Sequence, residues 1–338
     1  MEFFENFSLK KFNTFGMDVS ARWFAEISKL HDYEELLGFY HETKIPLLPL
    51  GGGSNILFTK NFEGLAAKIS TKGFKKLSDD KTSATIDVAA GELWEDLIKF
   101  CITEELYGLE NLSGIPGQVG SSPIQNIGAY GTEVKNCIKE VCAVSLEDGS
   151  RMKFTQAECN FGYRDSIFKR QLKGKVIITN VVFHLSKNPD FHLEYGGVAE
   201  EVRRISSNKP DLATVSKAIC NIRDRKIPNP KEVGSAGSFF KNPMVDDDLF
   251  NQLIVRFPKM PHYPAAGNRH KLAAGWLIDQ CGWKGHRTGD AGVNEHQALI
   301  LVNYKNASGT EIVELSKKIQ ESVFDKFGIF IEPEVNIL

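Results

Sequence analysis

The reading of this chain turns on Gly114-Ile115-Pro116-Gly117-Gln118-Val119-Gly120-Ser121-Ser122-Pro123-Ile124-Gln125-Asn126-Ile127-Gly128-Ala129-Tyr130-Gly131. Glycine at 114, 117, 120, 128 and 131 in one loop is costly in folding entropy, so the segment implies a ligand or a demanding backbone path. Gln125 and Asn126 both donate and accept, which suits a ring with imide-like edges. Upstream, the apolar strand Leu47-Leu48-Pro49-Leu50 runs into Gly51-Gly52-Gly53-Ser54-Asn55. Consecutive glycines let peptide N–H groups face a phosphate with no Cβ in the way, and Ser54 and Asn55 add donors. Alone, that turn reads equally well as a tight bend; two glycine loops favour a nucleotide-like ligand. No GxGxxG follows a strand and no GxxxxGK[ST] occurs, so the Rossmann and P-loop readings fail.

Outward from these loops the pattern is α+β. Strands are expected at Trp23–Ile27, Ile56–Phe58, Leu65–Ile69 and Ala84–Val88. A helix is expected from Asp32, with Asp32 as cap and Glu35 as capping-box partner. Another carries Leu93, Leu97, Ile98 and Cys101. Val141–Leu146 and Met152–Phe154 flank Asp148-Gly149, a hairpin signal, and Val176–Leu185 reads as a strand. Loops fill Lys187–Pro189 and Phe191–Gly197 before a helix from Thr214. Ile227-Pro228-Asn229-Pro230 looks like a domain junction. The last region predicts a helix at Lys271–Gln280, a strand at Ala298–Asn303, a helix Thr310–Phe327 capped by Thr310 and Gly328, and a strand at Ile329–Ile331.

At 338 residues the chain is too long for one small core. A net charge of -2 gives no basic footprint for nucleic acid. No apolar run approaches a membrane span, and MEFFENFSLKKF lacks a signal-peptide pattern. The cysteines at 101, 137, 142, 159, 220 and 281 form no CxxC pair and lie apart from the histidines, so they read as buried free thiols in a reducing cytoplasm, with no metal site expected.

Three further segments are candidates for chemistry. Phe161-Gly162-Tyr163-Arg164-Asp165-Ser166 places an arginine after a turn, able to grip a carboxylate in bidentate fashion or simply to pair with Asp165. Gly234-Ser235-Ala236-Gly237-Ser238-Phe239-Phe240-Lys241-Asn242-Pro243 holds Ser238 on a tight path beside two aromatics, outside any GxSxG frame. Glu332 and Glu334 follow an apolar strand, so at least one can turn inward.

Read jointly, these motifs resemble the UDP-N-acetylenolpyruvoylglucosamine reductase family in its longer form, which carries a tyrosine loop here marked by Tyr195. The resemblance runs from Asn13-Thr14-Phe15-Gly16 through GGGSN, GIPGxVGxxPIQNIGAYG, YRDSIFK, GSFFKNP and KLAAGWLIDQ to Glu332-Pro333-Glu334-Val335. It implies an FAD-binding module of the vanillyl-alcohol-oxidase type in two subdomains, at 1–72 and 73–226. A C-terminal α+β substrate-binding domain follows at 227–331, and 332–338 returns to the first subdomain. It implies NADPH as hydride donor, a UDP-sugar enolpyruvyl ether as substrate, and a cytoplasmic monomer. In that pattern Ser238 is the proton donor, and Arg164 and Glu334 stabilise charge on the substrate carboxylate.

The implied cofactor contacts are Gly51, Gly52, Gly53, Ser54 and Asn55 from the first loop. The second loop contributes Ile115, Pro116, Gly117, Gly120, Ser121, Gln125, Asn126, Gly128, Ala129 and Tyr130. No histidine occupies the first loop, so the FAD is expected to be non-covalent. Substrate contacts carried over are Tyr163, Tyr195, Lys226, Asn242, Tyr263, Lys284 and Gln297, with Lys226 and Lys284 facing the uridyl diphosphate. The rival readings are another FAD-dependent oxidoreductase of the same fold and a non-catalytic nucleotide-binding protein.

Overall fold

A computed structural model describes residues 1–338 except Lys231 and Ala266. The chain divides into two compact units. The first comprises Met1–Phe7, Ser20–Gly52 and Phe62–Asp224; the second comprises Ser8–Val19, Gly53–Asn61 and Arg225–Leu338.

The first unit carries two larger sheets and a two-stranded ladder of Gly128–Ala129 with Thr132–Glu133. In one, the order is Phe3–Ser8, Ser20–Ile27, Phe62–Ile69, Leu47–Leu50. Phe62–Ile69 is flanked by parallel neighbours on both sides. A strand so placed is covered on both faces and reads as a continuous apolar run, here Leu65-Ala66-Ala67, all fully buried. The Asp32–Thr43 helix makes the crossover between Ser20–Ile27 and Leu47–Leu50. The second sheet is antiparallel, in the order Arg151–Thr155, Ile138–Ser145, Val176–Ser186, Ser83–Ala89, Phe74–Asp79. The expected hairpin around Asp148-Gly149 joins its first two strands. The Trp94–Thr103 helix buries Trp94, Leu97, Ile98 and Cys101 against it. Two helices, Val198–Ile205 and Leu212–Asp224, pack on each other through Val198, Val202, Val215, Ile219 and Ile222.

In the second unit, Gly234–Ser235, Leu301–Asn303, Ala291–Val293 and Arg287–Thr288 form an antiparallel sheet. A three-stranded sheet has Arg269–Leu272 between Met244–Asp246 and His262–Ala265. Asn336–Ile337 pairs in parallel with Ile56–Leu57.

Several local expectations are corrected. Asp32 does not cap its helix: its carboxylate accepts from the Ser28 and Lys29 amides at 2.7 and 2.8 Å, closing the preceding turn, and His31 holds the cap position. The last helix is capped by Ser308, not Thr310, through a reciprocal box with Glu311. That helix starts at Gly309, where a Cβ would fall 1.9 Å from the Phe58 carbonyl oxygen. Gly328 does end it, in a left-handed conformation. Lys271 lies in a strand, the helix beginning only at Ala274. Ile329–Ile331 joins no sheet; its isoleucines are buried and Gln320 Nε2 holds the Ile331 carbonyl at 2.8 Å.

Candidate functional site

In the first unit, Gly51 and Gly52 leave the Leu47–Leu50 strand and meet the second glycine loop, Gly51 against the Gln118 and Ser121 side chains and Gly52 backbone to backbone. A Cβ at Gly52 would stand 3.0 Å from Gly117 Cα, and Gly117 itself has φ +125°. Only glycine permits this approach. Gln118 is buried beneath the contact, its Nε2 donating to the Ile69 and Gly91 carbonyls at 3.0 and 2.9 Å. Ser121 Oγ donates to the Gln118 carbonyl at 2.7 Å.

The rest of the second loop divides its labour. Asn126 is wholly buried and spends its amide on the protein: Nδ2 donates to Glu133 Oε2 and the Gly162 carbonyl, and Oδ1 accepts from the Lys135 amide. Its side chain therefore shapes the loop rather than presenting an edge to a ring. The Tyr130 carbonyl accepts from Asn111 Nδ2 at 2.9 Å. Asn111 Oδ1 and Thr132 Oγ1 are buried with no hydrogen-bond partner among the described residues. Tyr195 comes to this loop: a Cβ at Gly131 would lie 3.7 Å from Tyr195 Cβ, and one at Gly196 would lie 3.2 Å from Tyr130 Cδ1.

Arg164 sits on a tight turn in which Gly162 and Asp165 exchange backbone bonds, and it adopts φ +53°. This uncommon conformation for a non-glycine residue accompanies a bond from Nη2 to the Gly128 carbonyl at 2.6 Å. The guanidinium lies 5.4 Å from the Tyr163 ring centre. Asp165 pairs with Arg170 Nε at 3.1 Å.

In the second unit, Ser238 is exposed and is followed by the fully buried Phe239 and Phe240. This segment pairs antiparallel with the chain end: the Glu334 amide donates to the Phe239 carbonyl at 2.7 Å, and the Lys241 amide to the Glu332 carbonyl at 2.9 Å. Glu334 thus stands opposite Phe239, the residue after Ser238, on the paired segment. The two glutamates differ. Glu332 is exposed and bonded to Lys241 Nζ at 3.1 Å, whereas Glu334 is half-buried. Lys241 is therefore tied to the ladder's surface side.

Other candidates collect at the start of the Ala274–Gln280 helix. Asn242 Oδ1 accepts from the Ala274 amide at 2.9 Å. Gln297 Oε1 stands where a Gly275 Cβ would be only 2.6 Å away, and accepts from the Leu299 amide. The Phe239 amide donates to the Leu299 carbonyl at 2.8 Å, linking this patch to Ser238. Tyr263 faces Lys271 across the three-stranded sheet, with Nζ 5.5 Å from its ring centre. Lys271 was not singled out from the sequence, where it merged into the following helix; strand alternation beside Tyr263 was the available signal. Lys284 lies elsewhere, bonded to Asp279 at 3.2 Å near the helix's far end. Lys226 is exposed.

The glycine loops and Arg164 belong to the first unit, except that Gly53, Ser54 and Asn55 belong with Ser238 and Glu334 to the second. There Asn55 Nδ2 lies 3.4 Å from the Glu334 carbonyl and the Asn55 carbonyl accepts from the Asn336 amide. Among the described residues no group of three or more His, Cys, Asp or Glu stands close enough to hold a metal, and no helix is long and apolar enough to cross a membrane. All six cysteines are free, and burial pushes the Cys137 thiol up to about 12.

Comparison with known proteins agrees with this geometry. Residues 23–155 match the model of an FAD binding domain, and residues 229–338 match that of the UDP-N-acetylenolpyruvoylglucosamine reductase C-terminal domain. A UDP-N-acetylenolpyruvoylglucosamine reductase of Flavobacterium johnsoniae is 45% identical over 340 residues, covering 100% of both chains. Relatives of the same name from Chromobacterium violaceum and Pseudomonas putida are each 44% identical, covering 100% and 98% of this chain and 99% and 98% of their own. The crystal structure of the Thermus caldophilus reductase superposes with a TM-score of 0.65 at 25% identity, covering 99% of this chain and 98% of that one. The expected fold class, an α+β FAD-binding module with a C-terminal α+β domain, is the one found.

Proposed function

The chain belongs to the UDP-N-acetylenolpyruvoylglucosamine reductase family, and from that premise we propose that it uses NADPH to reduce the enolpyruvyl ether of UDP-N-acetylglucosamine to UDP-N-acetylmuramate. The setting proposed is cytoplasmic peptidoglycan precursor synthesis by a monomer, with FAD-binding subdomains at 1–72 and 73–226 and a substrate domain at 227–331. The residues present fit a bound FAD: Gly52 and Gly117 meet with bare peptide groups where a Cβ at Gly52 would be crowded, and the second loop is flanked in sequence by two buried oxygens, on Asn111 and Thr132, that have no partner among the described residues. Peptide groups of Gly51, Gly52 and Gly117 would hold its diphosphate, and the backbone from Gln125 to Tyr130 its ring. Bound there, the flavin would supply the hydride for the enolpyruvyl double bond.

The chain's own residues do the rest. Arg164 offers a planar fork to the substrate carboxylate, where negative charge develops as hydride arrives. Glu334, held in its protonated form, donates a further hydrogen bond to that charge. Ser238 Oγ–H gives its proton to the carbon bearing the carboxylate, completing addition of hydride and proton across the double bond. Asn242, Tyr263, Gln297, Tyr163, Tyr195, Lys226 and Lys284 orient the sugar nucleotide, the lysines toward its diphosphate. The observation that supports this reading is the 2.7 Å bond from the Glu334 amide to the Phe239 carbonyl, which runs the segment of the proposed proton donor alongside that of the proposed acid.

The test is anaerobic. The purified protein should be yellow, bleach with NADPH, and regain its flavin absorbance when the enolpyruvyl sugar nucleotide is added. Bleaching without substrate-dependent recovery would point to a different oxidoreductase of this fold, and a colourless protein that takes up no FAD to a nucleotide-binding module.

A further inference from the structure

Lys68 lies outside every motif discussed so far, at the end of the central parallel strand. Its Nζ donates to the Gly51 carbonyl at 2.9 Å and to Gln118 Oε1 at 3.0 Å. Because Gln118 Nε2 is committed to the Ile69 and Gly91 carbonyls, its amide oxygen has one orientation, toward Lys68. The ammonium therefore stitches the first glycine loop to the second directly beside the Gly52–Gly117 contact. It is half-buried, and among the described residues no carboxylate forms an ion pair with it. Glu26, in register on the neighbouring strand, acts only at a distance, and Lys72 is taken by Glu92 at 3.0 Å. Neutral oxygens satisfy its hydrogen bonds and Glu26 offsets its charge only in part, and a half-buried charge is costly without a close counter-charge.

We propose that Lys68 is a positioning residue for the cofactor: it clamps the two glycine loops together and supplies the positive charge that the FAD diphosphate neutralises. This rests on the reading that these loops hold FAD. Burial lowers the Lys68 pKa from its ordinary 10.5 to about 8, Glu26 opposing and Lys72 reinforcing the shift. In the protein without FAD, Lys68 then loses its charge as pH rises through about 8. A bound dianion favours the protonated form, so FAD binding must take up a proton just above that pH, and affinity must fall as pH increases.

The experiment is calorimetric titration of apoprotein with FAD from mildly acidic to alkaline pH, in buffers of differing ionisation enthalpy. Wild type should show proton uptake above pH ~8, with Kd rising by up to about tenfold per pH unit there. Lys68→Met should bind at least about tenfold more weakly below that pH, the value expected when a charged hydrogen-bond partner is lost, and should show no uptake. Lys68→Arg, which keeps its charge throughout, should recover affinity without the pH break. Glu26→Gln, an exposed change, should move the break to lower pH. If Lys68→Met folds poorly, the arginine and glutamine variants still decide. Wild-type affinity and proton uptake in Lys68→Met, or an unmoved break in both other variants, would overturn the proposal while leaving the FAD reading intact. Failure of the wild type to bind FAD at any pH would overturn both.

Discussion

Replacing Gly52 with alanine puts one methyl group into the tightest point between the glycine loops. Its carbon would stand 3.0 Å from Gly117 Cα, 3.6 Å from Gly117 C and 3.7 Å from Gly117 N. The last two are ordinary contacts; the first is too close by several tenths of an ångström. The obstructing atom is backbone, at a φ of +125° that other residues do not adopt, so no side chain can rotate away. The loops must part instead. Overpacking of this kind costs about 1–3 kcal/mol, equivalent to roughly 5-fold to 150-fold in a dissociation constant. The protein's own bonds already hold the loops together through Lys68, so the cost should appear in FAD affinity and also in the stability of the apoprotein. The assay is titration of apoprotein with FAD, followed by flavin fluorescence, alongside thermal melts with and without FAD. Gly38→Ala is the control, because a methyl there meets nothing within 4 Å. An unchanged Kd for Gly52→Ala, within about twofold of wild type and thus far below the calculated penalty, would show that the Gly52–Gly117 contact does not cradle the cofactor.

Other perturbations probe the remaining assignments. Ser238→Ala should leave flavin reduction by NADPH intact and slow the substrate half-reaction by about 100-fold to 10,000-fold; stopped-flow traces with equal losses in both halves would assign Ser238 a structural role. Arg164→Lys keeps the charge but loses both the fork and the 2.6 Å bond to the Gly128 carbonyl, so kcat/KM should drop sharply, and full activity would remove Arg164 from the carboxylate clamp. Ser308→Ala should cost about 1 kcal/mol in urea unfolding through loss of the helix cap. Gly309→Ala should be far worse, since its methyl would lie 1.9 Å from the Phe58 carbonyl oxygen; comparable urea midpoints for the two would contradict the packing described.

What could be read without coordinates was whatever the local chain encodes. The Asp148-Gly149 hairpin formed because turn chemistry is local, and the helix bearing Leu97, Ile98 and Cys101 formed because its apolar spacing is helical. Ends were harder. Asp32 has a good capping residue's chemistry but found closer amides behind it, and Thr310 lost the cap to Ser308, whose partner Glu311 stands three residues on. The Val198–Ile205 helix was missed because it exposes Glu200, Arg203 and Arg204 and buries only a narrow stripe at Val198, Glu201 and Val202, which gains stability from Leu212–Asp224.

The sequence by itself determined the inventory of the site: two glycine loops, Arg164 after a turn, Ser238 before two phenylalanines, and a terminal glutamate pair. Those motifs are contiguous, and contiguity is what a sequence preserves. The resemblance picked out Glu334, and the tertiary structure supplied the physical difference between the two glutamates, by pairing residues 239 to 241 with the chain end so that Glu332 is exposed on Lys241 while Glu334 is half-buried. Only the tertiary structure turned Asn126 inward, set Lys271 opposite Tyr263, and placed the Lys68 ammonium between Gly51 and Gln118. The physical reason is common to all of these. Each depends on hydrogen bonds or packing between segments far apart in the chain, and strand register, which the local pattern does not carry, decides which side chains meet.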